Sequence, residues 1–478
     1  MLLLILLGAP WRTAMVASDG DACMHWRVGQ WMLQHRQIIR ADEFSHTRLG
    51  APVISKEWLS QILFAGAARV PAFNDLHVFT GGISMGASFS CGPAGLCGIA
   101  LAAALVIATT LALLHRQLLR EGNDALAATV VTLFAAWATS AHWLARPHVF
   151  SFLAIFLWND ALRRQRLWLL PVLTVLWVNL HGGYLAGFLV LGAYWLGALI
   201  ERDLRNLKAL TATGLLCALA SLANPNGYRL LVHNIEFLRS GFFRNWLAEY
   251  GSTNFHLESS RGFLAWLALM FLTFAWLRPR LPASGIALVI SWTYFALYAG
   301  RNIPLLAILI APLLAPAISD ALRQRLPALC QRLRATNASA RGWPVVAALA
   351  VAIIAAPHPT EMPADDWPVE AVKFIKQQPG RFAGNMFNQY SWGGYLMQEL
   401  PEHKVFVDGR ADFYGRELLE EFDEVTGLRT NWLGVLEKHN VQWTLMPRDH
   451  RLNAALALLP DWETAFSNQT ATIFRRAR

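Results

Sequence analysis

Charge is what this sequence has least of. Asp, Glu, Lys and Arg make up 15% of its 478 residues, against about 25% in an ordinary soluble domain, so water is not the solvent for much of the chain. Cysteine is scarce as well. Five are present, Cys23, Cys91, Cys97, Cys217 and Cys330, and they show no metal-ligand spacing such as Cys-x-x-Cys. Cys97 and Cys217 fall inside apolar runs. Cys23 and Cys91 share one loop, where an oxidising compartment would permit a disulfide. The chain carries neither an internal repeat nor a low-complexity run.

What is abundant is apolar. Hydrophobic residues reach 55%, with 20 tryptophans, a side chain that favours the membrane–water boundary. The apolar residues gather into runs near the length needed to cross a ~30 Å hydrocarbon layer. A net charge of +9 first suggests nucleic acid. From His358 onward, however, 13 Lys and Arg stand against 17 Asp and Glu, a net of −4. The basic excess therefore lies in short loops between apolar runs, which is a topology signal, and no nucleic-acid partner is expected.

Eleven spans are predicted: Met1–Ala17, Gly95–Leu114, Ala125–Trp143, His148–Asp160, Leu167–Asn179, Gly183–Ile200, Ala209–Leu222, Gly262–Leu277, Ala283–Ala299, Ile303–Ile318 and Trp343–Ala356. The first, interrupted by Trp11-Arg12, reads as a truncated helix in preference to a signal peptide. Positively charged short loops stay in the cytoplasm. Arg116 and Arg120, Arg163 to Arg166, Arg202 to Lys208, Arg278 and Arg280, and Arg323 to Arg341 all fall on one side if the amino terminus is inside. The short opposite loops carry only Arg146 and Arg301. The expected organisation is a transmembrane domain, 1–357, with a long extracytoplasmic loop, 18–93, and an extracytoplasmic domain, 358–478. The expected location is the bacterial inner membrane.

The long first loop has amphipathic helical patterns at Trp26–Gln34 and Glu57–Val70, and Tyr228–Phe237 reads as an interfacial helix. In the tail, short runs at Val405–Val407, Trp443–Met446 and Thr472–Phe474 read as strands. Helical patterns at Pro368–Lys376, Arg416–Glu424 and Asn431–His439 lie between them. Strands alternating with helices indicate a small soluble α/β domain.

Polar residues at the ends of apolar segments are costly and usually functional, and here they collect on the outer side. They are Asp19-Gly20-Asp21, His142, Arg146-Pro147-His148, Asn179-Leu180-His181-Gly182, Asn224-Pro225-Asn226-Gly227 and Arg301-Asn302. Each has a plainer reading: a capped helix end, a tight turn, or an arginine reaching lipid phosphate. Together they suit a phosphorylated lipid. Arg146, Arg301 and His148 would take the phosphate, since guanidinium forks match its oxygens. Asp19 or Asp21 would act as general base or hold a divalent cation, and His181 would orient or protonate. In the tail, Asp408, Arg410 and Asp412 follow a predicted strand, either as a carbohydrate or partner site or as a salt bridge in a turn.

These residues resemble a group of bacterial polytopic proteins related to the GT-C glycosyltransferases. The resemblance runs through Asp19-Gly20-Asp21…His25, Gly29-Gln30-Trp31, Asp42–Thr47, Glu57-Trp58-Leu59, Arg146-Pro147, Asn179-x-His181-Gly182, Asn224–Gly227 and Arg301–Pro304. It is strongest in the tail, at Phe387–Leu396 and Val407-Asp408-Gly409-Arg410-x-Asp412-x-Tyr414. Cys23-Met24 stands where a tryptophan pair is expected, and Pro71–Gly92 reads as an insertion. The resemblance implies an α-helical polytopic, GT-C-like membrane fold carrying a C-terminal α/β domain. It also implies transfer of a sugar from a polyprenyl-phosphate donor to an extracytoplasmic acceptor. Two other functions fit the same chain: a transporter or flippase for a lipid-linked saccharide, and a non-catalytic protein of cell-envelope assembly that uses its tail to hold a partner.

Overall fold

The structure, a computed structural model, describes residues 19–69, 95–337 and 362–477. The expected spans Met1–Ala17 and Trp343–Ala356 and the whole Pro71–Gly92 insertion, with Cys91, the offered partner of Cys23, lie outside them. The described residues fall into two compact units, one of 101–143 and 147–337, the other of 19–69, 95–100, 144–146 and 362–477.

The first unit is helical. Among the described residues of the chain, five helices are long and apolar enough to cross a membrane: Leu96–Arg120, Ala125–His142, Gly182–Ile200, Glu258–Leu277 and Gly300–Arg325. Leu169–Leu180 and Ala283–Tyr298 are shorter and equally apolar. Leu305 to Ala315 are buried without a break in the helix Ile303–Arg325, which forms the core. An apolar helix buried all round belongs at the centre of a bundle. Large apolar side chains also point outward, Phe271 at 72% exposure and Trp276 at 74%, as lipid-facing helices require. Where polar groups enter, they pair. The buried Asp124 carboxylate takes the Arg323 guanidinium and the Ser319 hydroxyl, and its backbone N–H donates to Ser319 Oγ at 2.8 Å. That joins the start of Ala125–Thr139 to the end of Ile303–Arg325. The amphipathic helix expected at Tyr228–Phe237 is present as Tyr228–Arg239.

The second unit holds a four-stranded sheet of β1 (Asn385–Asn388), β2 (Val441–Pro447), β3 (Trp462–Ser467) and β4 (Ala471–Arg476), in the order β1-β2-β4-β3. β1 runs parallel to β2, and the other pairs are antiparallel. Met386, Phe387, Trp443, Leu445 and Ile473 fill its buried faces. The helices Val369–Gln377, Ala411–Thr426 and Trp432–Lys438 cover it with strong amphipathic faces. The expected strand Val405–Val407 is no part of this sheet. It makes a single parallel bridge from Val405 to Ser45 of the first loop. Val405 N–H donates to Phe44 O and His46 N–H to Val405 O, each at 3.0 Å, so its backbone groups are already committed to that loop.

The first loop contributes two helices, Asp21–His35 and Trp58–Ala67, which cross closely at Gly29 and Gln61. Gly393–Glu399 of the tail packs on Asp21–His35. The molecule is mostly helical with one small C-terminal sheet, and it is a membrane protein.

Candidate functional site

Asp19-Gly20-Asp21 opens the helix Asp21–His35, where ionised carboxylates suit the orphan backbone N–H groups. Asp19 Oδ1 accepts from Asp21 N–H at 3.0 Å. Arg146 closes on both acids. Its Nε and Nη2 fork the Asp19 carboxylate, the latter at 2.6 Å, and its Nη1 lies 3.1 Å from Asp21 Oδ2. Burial would raise the pKa of Asp19, but the Arg146 charge and its hydrogen bonds outweigh it and hold the carboxyl below its ordinary value. Asp19 is therefore a fixed anion. Asp21 keeps 21% of its side chain exposed and Arg146 keeps 27%, against 5% for Asp19.

The tail is shaped around this segment. A Cβ on Gly409 would come 1.8 Å from Asp21 Oδ1, and one on Gly394 would come 2.3 Å from the Gly20 carbonyl oxygen. Neither position has room for a side chain, which explains glycine at both in physical terms. Tyr390 stands in the same field. Its hydroxyl is pushed well above the ordinary phenol range by burial and by the charges of Asp21, Asp408 and Asp412.

Asp408, Arg410 and Asp412 bind the loop to the tail. Asp408, wholly buried, accepts from Arg410 N–H at 3.0 Å, Nε at 2.8 Å and Nη2 at 2.6 Å, and from Tyr414 OH at 2.6 Å. Arg410 Nη1 lies 2.8 Å from Asp42 Oδ1 in an ion-pair contact without hydrogen-bond geometry. Asp42 Oδ2 accepts from Ser45 N–H at 2.9 Å and Oγ–H at 2.7 Å. Asp412 pairs with Lys56 at 2.6 Å. The pattern is that of a closed polar cluster in which Asp42 Oδ1 meets Arg410 by charge alone.

The other expected residues belong to the first unit. His181 Nδ1 lies 2.7 Å from Ser151 Oγ and accepts from Gly183 N–H at 3.1 Å, while Trp177 Nε1 donates to Ser151 Oγ at 2.8 Å. An Nδ1 that accepts leaves the ring proton on Nε2. His148 Nε2 meets the His142 carbonyl at 2.8 Å. Arg301 lies over the Tyr250 ring at 4.3 Å and 3.5 Å from Glu249 Oε1. The structure thus brings Asp19, Asp21 and Arg146 together, and Asp408 with Arg410. Asp42, Tyr390 and Tyr414 lay inside the motifs quoted above, without any local signal that marked them as partners. Among the described residues, no group of three His, Cys, Asp or Glu side chains is placed to hold a metal ion. Both acids face Arg146, whose single charge offsets one of their two.

The same fold occurs in membrane glycosyltransferases. The chain aligns over 100% of its length with 74% of the archaeal oligosaccharyltransferase AglB from Archaeoglobus fulgidus, solved with an inhibitory peptide and a dolichol-phosphate, at a TM-score of 0.60 and 12% identity. The apo form of the Archaeoglobus fulgidus oligosaccharyltransferase aligns over 95% of this chain and 70% of its own, at 0.57 and 13% identity. ArnT from Cupriavidus metallidurans, bound to undecaprenyl phosphate, aligns over 99% of this chain and 96% of its own, at 0.58 and 16% identity. The chain shares the fold of these three proteins. No protein-family model and no curated protein sequence matches it.

Proposed function

We propose that the chain is a GT-C-type glycosyltransferase of the bacterial inner membrane, moving a sugar from a polyprenyl-phosphate donor to an acceptor on the extracytoplasmic side. The observation that carries this is the Asp19–Asp21–Arg146 cluster, set at the start of the first loop and enclosed by the tail. The fold likeness to proteins solved with dolichol-phosphate and undecaprenyl phosphate supports it. In this reading eleven spans thread the membrane, the amino terminus is cytoplasmic, and the first loop and tail face outward.

Asp21, the more exposed acid, takes the proton of the acceptor hydroxyl, and that oxygen forms the new bond to the sugar's anomeric carbon. The bond from that carbon to the phosphate oxygen breaks, and its electron pair leaves with polyprenyl phosphate. Asp19, ionised and bound, positions Arg146. Arg146 meets the donor phosphate by exchanging carboxylate for phosphate oxygens.

One observation favours a non-catalytic assembly protein instead: Asp19 and Arg146 satisfy each other. The test separates the two. Purified protein is incubated with radiolabelled polyprenyl-phosphate sugars and a crude envelope acceptor. Transfer by the wild type, lost in Asp21→Asn and in Asp19→Asn with membrane insertion intact, supports the transferase. Full transfer by both variants removes the proposed base.

A further inference from the structure

The second unit contains a cavity of about 110 Å³ apart from the acidic cluster, well above the ~10–15 Å³ that one water needs by the same measure. One wall forms where the first loop meets the tail, with Lys404 Nζ donating to the Glu43 carbonyl at 2.7 Å and Val405 N–H to that of Phe44 at 3.0 Å. The other wall is the helix Asp21–His35, which supplies Arg27 and Trp31.

Arg27 is the unusual member. Its Nε is buried with no hydrogen-bond partner, and among the described residues its guanidinium makes no hydrogen bond or ion pair. Arg146 and Arg410 of the same unit are both matched to carboxylates. Burial draws the Arg27 pKa below its ordinary value, yet an arginine stays charged in a protein. A half-buried cation without a counter-ion is costly to maintain, and a perturbed charge in a cavity is a mark of function. Lys404 uses one of its three donors on the Glu43 carbonyl, which leaves two. His403 is held neutral by burial. Glu43 lines the cavity with an exposed side chain, while Trp31, Phe44 and Met397 supply apolar walls.

We propose that this cavity binds a phosphate-class oxyanion carried on a small organic group, with Arg27 as its principal contact and Lys404 as its second. An oxyanion would provide the acceptor atoms that Arg27 Nε lacks, and the aromatic walls would take the attached group. The site goes beyond the transfer reading, because neither acid of the Asp19–Asp21 pair lines it.

The test is titration of the full chain in detergent with inorganic phosphate, followed by calorimetry. The expected result is saturable binding, weakened about tenfold or more by Arg27→Gln, less by Lys404→Ala, and partly kept by Arg27→Lys. Competition by glucose 1-phosphate would identify a soluble ester as the occupant, and competition by a short-chain phosphatidate would identify a lipid. Absence of saturable binding overturns the proposal, as does equal binding by wild type and a folded Arg27→Gln protein. Transfer is not read in this experiment, so its outcome is separate from that of the Asp21 variant.

Discussion

Arg410 joins two carboxylates from distant parts of the chain: Asp408 beside it, at 2.6 Å from Nη2, and Asp42 of the first loop, at 2.8 Å from Nη1. Both acids are fully buried, and the arginine side chain is 11% exposed. Removing one member of a buried ionic group leaves the others as uncompensated charges, typically at about 3–5 kcal/mol. Arg410→Met is therefore expected to lower the stability of the unit by that amount, measured as thermal unfolding in detergent by tryptophan fluorescence. Tyr414→Phe removes one hydrogen bond and should cost about 1–2 kcal/mol. An unchanged midpoint for Arg410→Met would mean that the cluster does not hold the loop.

The Asp19–Arg146 pair predicts a pH dependence of definite sign. The folded carboxyl lies below its ordinary value of 3.8 because the Arg146 charge and the hydrogen bonds to Asp19 together outweigh burial. Stability from such a group is fully present above the unfolded value and is lost as pH falls through the folded one. Asp19→Asn should therefore destabilise equally at pH 8 and pH 5. The gap between variant and wild type should close only below about pH 4. A gap that closes between pH 7 and pH 5 would contradict the lowered pKa.

His46 has a dependence of the same sign at higher pH. Burial, set partly against its hydrogen bond to the Met386 carbonyl, draws the imidazole down from 6.5 to about 4. Between these values the unfolded chain holds the extra proton, so acidification favours unfolding. From pH 7 to pH 5 the loss should approach about 2 kcal/mol. His46→Gln, which keeps a donor for Met386, should flatten that slope in pH-dependent melting.

Gly409→Ala tests how closely the tail encloses the acidic segment. Its methyl would stand 1.8 Å from Asp21 Oδ1 unless the carboxylate moves. In the transfer assay it should lower the rate at least about tenfold, as displacement of a reacting group does. Insertion in the membrane should be unaffected. A wild-type rate would place Asp21 outside the reaction.

Much of the helical framework was legible because burial in lipid or protein imposes long apolar runs. Ala125–Trp143 contains the helix Ala125–Thr139, and His148–Asp160 lies within His148–Arg163. Trp443–Met446 lies within β2, and Thr472–Phe474 within β4. Short strands were harder to read. β1 is four residues long and reads as the polar–apolar run Asn-Met-Phe-Asn, and Val405–Val407 has strand composition but pairs with a loop. The candidate site was legible as a set of residue types but not as pairs. No local pattern ties Asp42 to Arg410, Lys56 to Asp412, or Asp19 to Arg146. Such partners are selected by tertiary packing, and a single sequence does not carry that information. The vacancy of Arg27 was equally invisible, since a missing partner is a property of the folded neighbourhood.

The central claim is that the acidic first loop and the tail stand together on the outer face of the membrane. Single cysteines at the exposed positions Leu49 and Leu458, placed in a chain whose five native cysteines are replaced by serine, would be treated with a membrane-impermeant maleimide in intact spheroplasts. Labelling of both without lysis is the predicted result. Labelling of either one only after lysis would contradict it.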